Sequence, residues 1–474
     1  FCSSATAGNN VTTYAAIPDQ WYDYINGFNG TSTVDIRSET ILSRSNNTNR
    51  ALPINDRYRA YDFAGGFTAA TDQEFYTARE FPEQYWNSTT FVGEGTSQLM
   101  STYYVEQQGP SYESIYHHNL FASNDEWSSP TYVNTGPDGM VWMIDMYDFI
   151  FQHNPTPDEY STGDGNAYET EVRDNQNSRL YRVTTGDDVD LHPHDLSDAS
   201  PSELVDMLSA DNMFWRKTAQ RKLIEQDATG VVSDLVDLAT SENLDDIGLD
   251  PGSIHALWTL EGLDAVADNE DALLDTLSHS SAGVRINALR ALPPTAAKRD
   301  AIVDGGLLED DDGRVQMWAS LALAETPDDT AAGEAIFDMI DNDAALEEDL
   351  LVDASSVGGA THYEGFIDAY MEAYGDNYEG VNVLEGDGNP GFEEVSATGP
   401  SAWTQTPFGG TYTYEWADGT SSAGSRSLSI TSPSSSDGAD AAWTQTVSVE
   451  SNTEYTFTAQ VKTEDVQTVD GSGL

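Results

Sequence analysis

Between Trp215 and Ala319 one short phrase returns four times. It reads Trp215-Arg216-Lys217-Thr218-Ala219, Ile254-His255-Ala256-Leu257-Trp258, Val284-Arg285-Ile286-Asn287-Ala288 and Val315-Gln316-Met317-Trp318-Ala319. Successive copies start 39, 30 and 31 residues apart, and a weaker fifth falls at Leu350-Leu351-Val352-Asp353-Ala354. Two helices per unit at such a period cannot bury their apolar faces alone. They must stack on their neighbours, which describes an α-solenoid. The helical pattern opens at Ser197 and runs to about residue 375. Ser200-Pro201-Ser202-Glu203 supplies its first cap, with proline at the start of the first helix.

The flanks read differently. Residues 1–185 are rich in Tyr, Trp, Phe, Asn and Gly, with short apolar–polar alternations between turn residues. Tyr132-Val133-Asn134-Thr135, the turn Gly136-Pro137-Asp138-Gly139, then Met140 to Asp145 predict a hairpin. Phe91-Val92 and Tyr103-Tyr104-Val105 predict another pair of strands. Repeated aromatic hairpins suggest propeller blades, and at about 40–45 residues per blade this region holds about four. Residues 186–196 form an acidic linker, and residues 376–398 form a second linker rich in Gly, Asp and Asn. From 399 to 474 period-two alternation returns, at Leu428 and Ile430, at Trp443 to Val449 and at Tyr455 to Val461. A β-sandwich or jelly roll fits it. The expected fold is therefore multidomain β + α + β: a partial β-propeller, an α-solenoid and a partial jelly roll. The incomplete look of both β regions predicts a fragment of a longer polypeptide, or partners that complete both ends.

Charge limits what such a chain can touch. The 474 residues carry 20 Lys+Arg against 81 Asp+Glu, a net −61. Clustered cations for phosphate are lacking, which argues against nucleic acid and against an anionic membrane surface. Self-repulsion of this size favours molar salt, where the Debye length falls to about 3 Å; a halophilic protein is expected. The 38% hydrophobic content still provides real cores. With Cys2 as the single cysteine there is neither an intrachain disulfide nor a CxxCH haem attachment site. No apolar run approaches the length of about 18 residues that a spanning helix needs. Asn-x-Ser/Thr sequons at Asn10, Asn29, Asn46 and Asn87 favour an extracellular or cell-surface glycoprotein.

Certain wordings are more specific. The run from Ser123 to Pro157 and the run GDGNAYETEVRDNQNSRLYRV resemble the end of the propeller in the membrane-bound dehydrogenases related to glucose/sorbosone dehydrogenases. In that family HEAT repeats follow the propeller. Asn212-Met213-Phe214-Trp215-Arg216 and Gly252 to Trp258 match its pattern too. The Val-Arg-x-x-Ala-x-x-Ala-Leu pattern at Val284 to Leu292 is the HEAT-type signature. The resemblance spans about residues 50–330. It implies a sugar or polyol oxidoreductase using pyrroloquinoline quinone and calcium, with a cytochrome c domain or partner as electron acceptor. Asn389-Pro390-Gly391-Phe392-Glu393, Ala402-Trp403, Ser425 to Leu428, Trp443-Thr444-Gln445 and Thr453 to Phe457 resemble a jelly-roll carbohydrate-binding module. That resemblance implies polysaccharide docking. It also implies a structural calcium held by Glu393, with carbonyls near Ser425 as co-ligands.

No catalytic residue is assigned. Histidine is the natural base for a sugar hydroxyl, and the β region offers His117, His118 and His153. Adjacent histidines on a strand should point to opposite faces, so at most one of His117 and His118 would face a pocket. His192-Pro193-His194-Asp195 is either a zinc or copper tract or a solvated linker. The runs Asp187-Asp188 and Glu309 to Asp312 read as solvated acidic loops rather than calcium sites. His255 and His279 fall on solenoid helices, where hydrogen-bonded packing is expected. For sugar stacking, Trp403, Tyr414 and Trp416 are the candidates, beside Tyr412; Trp443 reads as core.

Two functions follow. One is an extracellular quinone-dependent sugar or polyol dehydrogenase docked on polysaccharide. The other is a non-catalytic cell-surface assembly protein that uses all three regions as interaction surfaces.

Overall fold

A computed structural model describes residues 2–3, 12–25, 38–40, 51–55, 67, 70–148, 176–186, 194–374, 392, 395–396, 399–409, 411–418, 425–431 and 440–445. It is a mixed β and α multidomain chain: N-terminal sheets, a helical middle and C-terminal strands. Two compact units divide it, residues 1–25 with 34–369 and residues 26–33 with 370–474.

In the first unit β1 (Cys2–Ser3), β2 (Thr12–Ala15) and β3 (Ser38–Thr40) form a small antiparallel sheet. A four-stranded antiparallel meander follows: β4 (Ala70–Phe75), β5 (Thr89–Glu94), β6 (Leu99–Gln108) and β7 (Ser111–Ala122). A three-stranded meander, β8 (Pro130–Thr135), β9 (Val141–Asp145) and β10 (Arg179–Val183), lies beside it. The hairpin expected around Gly136–Gly139 forms as β8–β9, with Thr135 opposite Val141. Alternation sets its faces: Val141 and Met143 are buried while Ile144 is exposed. They join Tyr76, Phe81, Phe91 and Met100 in one core, each large apolar side chain contributing about 1.5–3 kcal/mol on burial. Two carboxylates tie the meanders together. Asp72 accepts the Val133 N–H at 3.0 Å, and Glu74 accepts that of Thr135.

Twelve α-helices occur among the described residues: α1 (Pro201–Asp206), α2 (Met213–Glu225), α3 (Val232–Ala239), α4 (Pro251–Gly262), α5 (Glu270–Leu273), α6 (Ala282–Ala291), α7 (Ala296–Asp304), α8 (Gly313–Ala324), α9 (Thr330–Ile340), α10 (Asp343–Leu346), α11 (Asp349–Thr361) and α12 (Tyr363–Tyr374). Helices α2, α4, α6, α8 and α11 carry the repeated phrase, and each packs on the next. Ala219, Ala256, Ala288 and Ala319 are fully buried where these helices meet. Small residues there let the backbones approach. The capping box at Ser200 and Glu203 is present. Acidic residues serve as caps at Asp250, Asp312 and Asp329, where each accepts a backbone N–H and suits the positive helix end.

The acidic run 309–312 departs from the sequence expectation of a solvated loop. Asp310 pairs with Arg285 at 2.8 Å, linking α6 to the turn before α8, and Asp312 pairs with Arg314 at 2.6 Å. Both carboxylates are mostly buried. Linear sequence shows a charge run but not the arginine, Arg285, brought to Asp310 by the preceding repeat.

In the second unit β11 (Val395–Ser396) pairs with β12 (Gly399–Pro400), β13 (Thr404–Gly409) with β16 (Asp440–Thr444), and β14 (Thr413–Asp418) with β15 (Arg426–Thr431). No described helix is long and apolar enough to cross a membrane.

Candidate functional site

Two motifs that stand out separately in the sequence meet in space. The β8–β9 turn needs glycine at Gly139, where φ is +71° and a Cβ would meet the Glu80 side chain at 2.5 Å. Within this turn Asp138 accepts from the Trp142 indole, the Met140 N–H and Arg182. Burial opposes its charge, but these donors outweigh it and hold the carboxyl below the usual range. The first helical repeat reads the same turn from outside. Asn212 Nδ2 donates to Gly136 O at 2.8 Å, and Trp215 Nε1 donates to Pro137 O at 2.8 Å. Arg79 reaches Asp245 at 2.7 Å to complete this clamp.

A second clamp holds the far end of the β meander. Gln107 Nε2 donates to Asp312 at 3.0 Å, and Arg314 donates to the Tyr112 hydroxyl at 2.8 Å. The β6–β7 turn sits so close to α8 that a Cβ on Gly313 would lie 2.8 Å from Pro110 N and 2.9 Å from Gly109 C. Val105, Trp21 and Tyr22 share one core with Met317, Leu321 and Leu351.

The strongest candidate for chemistry lies on β7. Thr102 pairs with His118 and Tyr103 with Tyr116, so His117 is an extra, bulged residue. The bulge cancels the alternation expected for adjacent strand positions. The two imidazoles therefore meet, Nδ1 to Nδ1 at 2.6 Å, instead of pointing to opposite faces. Tyr85 OH lies 3.3 Å from His118 Nε2, and the Tyr104 ring is 4.5 Å from that of His117. Burial, then the neighbouring imidazole, push the His118 pKa down, so it is neutral at pH 7. A neutral imidazole with one nitrogen on a phenol and the other on an exposed histidine can take or relay a proton. Nothing in the sequence pattern signals the bulge.

The remaining candidates are distributed. His153, His192, Glu393, Asn10, Asn29 and Asn46 lie outside the described residues. His194 is exposed and packs against Trp215. Asn87 has φ +56° and accepts from Arg79 at 2.8 Å, while the Thr89 hydroxyl of that sequon donates to Gln84 O. His255 bonds Gln220 at 2.7 Å. His279 accepts the Ser281 N–H and lies 2.8 Å from Ser241 O, joining consecutive repeats. In the second unit Trp416 Nε1 donates to Phe392 O, and Arg426 stacks 4.1 Å above its ring. Trp403 meets the Phe392 ring. Tyr414 packs between Tyr412 and Trp443, and Trp443 donates to Ser429 O.

Quinone binding needs free cations for carboxylates. Among the described residues of the β region, Arg79, Arg179 and Arg182 each already pair with an aspartate. No described group of three or more His, Cys, Asp or Glu is placed to hold a metal ion.

The architecture thus defined is a β region clamped at two points to a helical array. A family described as "Domain of unknown function (DUF7133)" matches residues 1–187, which is the β region. No curated protein matches the chain.

Proposed function

We propose that this is a non-catalytic binding protein of an extracellular or cell-surface setting in a halophile. Its β region is read as propeller blades, its helices as a HEAT-type solenoid, and its C-terminal strands as a jelly-roll module that docks on polysaccharide. The observation that carries this reading is the commitment of charge. Arg79, Arg179, Arg182 and Arg285 pair with aspartates of other segments, and Arg314 pairs with its own helix cap Asp312 while donating to Tyr112 of β7. That distribution suits a scaffold. In the C-terminal strands Trp416 with Arg426 above it, and Tyr412 beside Tyr414, offer aromatic faces and donors to a sugar. The test is a pull-down of the full chain on insoluble polysaccharides in molar KCl. Retention by at least one polysaccharide, lost in Trp416→Ala, is expected; no retention on any would overturn the docking reading.

The quinone-dependent sugar or polyol dehydrogenase is the second reading, favoured by the His117–His118 pair with its phenol partner. Its cations would have to come from the arginines of the β region outside the described residues, Arg37, Arg44, Arg50, Arg57, Arg59 and Arg173. Dye reduction with aldoses and polyols in high salt, with quinone and calcium added, discriminates. Quinone-dependent turnover abolished by His118→Ala would replace the first reading.

A further inference from the structure

The bulge in β7 turns two neighbouring imidazoles toward one point. The Nδ1 atoms of His117 and His118 lie 2.6 Å apart. Two nitrogen lone pairs at that separation repel unless a proton or a metal ion lies between them.

The surroundings prepare the pair for a metal. Tyr85 OH lies 3.3 Å from His118 Nε2. The Tyr85 ring is itself packed against Phe81 at 5.5 Å and Tyr104 at 6.5 Å. A proton on His118 Nε2, directed at the phenol oxygen, leaves Nδ1 with its lone pair. An oxygen partner on the second nitrogen is how ligating histidines are oriented. Burial, then the neighbouring imidazole, keep His118 neutral at pH 7, the state that ligates. His117 is exposed, so an ion in solution reaches the pair. The Tyr104 ring, 4.5 Å from that of His117, restrains its orientation.

We propose that His117 Nδ1 and His118 Nδ1 bind one copper(II) ion, with water in its remaining positions. At bond lengths of about 2.0 Å, adjacent ligands of a square-planar ion lie about 2.8 Å apart and those of a tetrahedral ion about 3.3 Å. The observed 2.6 Å is nearer the first, which favours copper(II) over zinc. Copper(II) also binds a given set of nitrogen ligands most tightly among the divalent first-row ions. The proton shared by the two Nδ1 atoms moves to His117 Nε2 as the metal enters. No described group of three or more His, Cys, Asp or Glu is formed here, so the site is open to solvent rather than closed like a structural zinc centre. It lies on β7 and is independent of the carbohydrate reading of the C-terminal strands.

The test is titration of the full chain with copper(II) in molar KCl, followed by electron paramagnetic resonance. A Cys2→Ser background removes the single thiol able to reduce the ion. Nitrogen hyperfine splitting separates imidazole ligation from copper on surface carboxylates. One equivalent with a two-nitrogen pattern is expected. It should be lost in His117→Gln and in His118→Gln, and kept when His192→Gln and His194→Gln remove the other closely spaced histidines. Because His117 is exposed, its variant should keep the parent circular dichroism spectrum. Absence of a two-nitrogen species in the parent chain overturns the proposal. So does its persistence in folded His117→Gln, or its loss with His192 and His194.

Discussion

Lys298 is the cleanest place to test how this fold handles charge. It lies on α7, is 1% exposed, and donates from Nζ to Leu292 O at 3.0 Å. Burial lowers its pKa from 10.5 to about 8, against the opposing pull of Glu325 and Glu270. At 1.36 kcal/mol per pH unit that difference is about 3 kcal/mol. Below pH 8 both folded and unfolded chains hold the proton, and the folded state carries the full cost. Between about pH 8 and 10.5 the folded lysine has lost a proton that the unfolded chain keeps, so stability rises with pH. Lys298→Met removes the titration while keeping most of the volume. Its stability relative to wild type should therefore fall by about 3 kcal/mol across that window. At pH 7 the net effect is smaller, because Leu292 O loses a partner at a cost of about 1–3 kcal/mol. Urea unfolding of both proteins in molar KCl, from pH 7 to 10.5, measures the difference free of other titrating groups. A wild-type-minus-variant difference that stays flat would refute the claim of a buried cation.

The β–helix clamp predicts that Asn212→Ala removes one of two donors to Gly136 O, which keeps the Gly139 N–H at 3.0 Å, at a cost of about 0.5–1.5 kcal/mol. Hydrogen exchange at residues 136–140 should quicken, and unchanged protection there would show that the clamp contributes nothing. Gly313→Ala forces the β6–β7 turn off α8 and should destabilise by about 1–3 kcal/mol; unaltered resistance to proteolysis at residues 109–111 would contradict the close approach. Burial, then Arg216 and Lys217, lower the His255 pKa from 6.5 to about 3. The unfolded chain takes up that proton at pH 6.5 while the folded one does not, so up to about 5 kcal/mol is lost as pH falls from 6.5 towards 3. His255→Gln should flatten that limb of an acid titration followed by circular dichroism.

The residues that could be read in advance are those whose roles are local. Ser200 and Glu203 lie three residues apart and cap a six-residue helix, so their spacing alone declares the cap. The Gly136–Gly139 turn lies between two short apolar runs and folds them into a hairpin for the same reason. The His117–His118 pair escaped such reading because a bulge depends on how β7 pairs with β6, not on the order of residues along β7. The fate of Asp310 and Asp312 escaped it too, because Arg285 reaches Asp310 only after α6 and α8 have stacked.

Sequence by itself determined the positions of the repeated helices, the cap of the first helix and the β8–β9 hairpin. Each follows from spacing over a few residues. Tertiary structure alone decided that the Gly136–Pro137 turn meets Asn212 and Trp215, 76 and 78 residues away. It alone placed Arg79 on Asp245 and buried Arg216, with Nε lacking a hydrogen-bond partner among the described residues. A pairing between distant residues leaves no periodic trace along the chain. It exists only where packing of the whole unit brings one donor to one acceptor and excludes the water that would otherwise serve both.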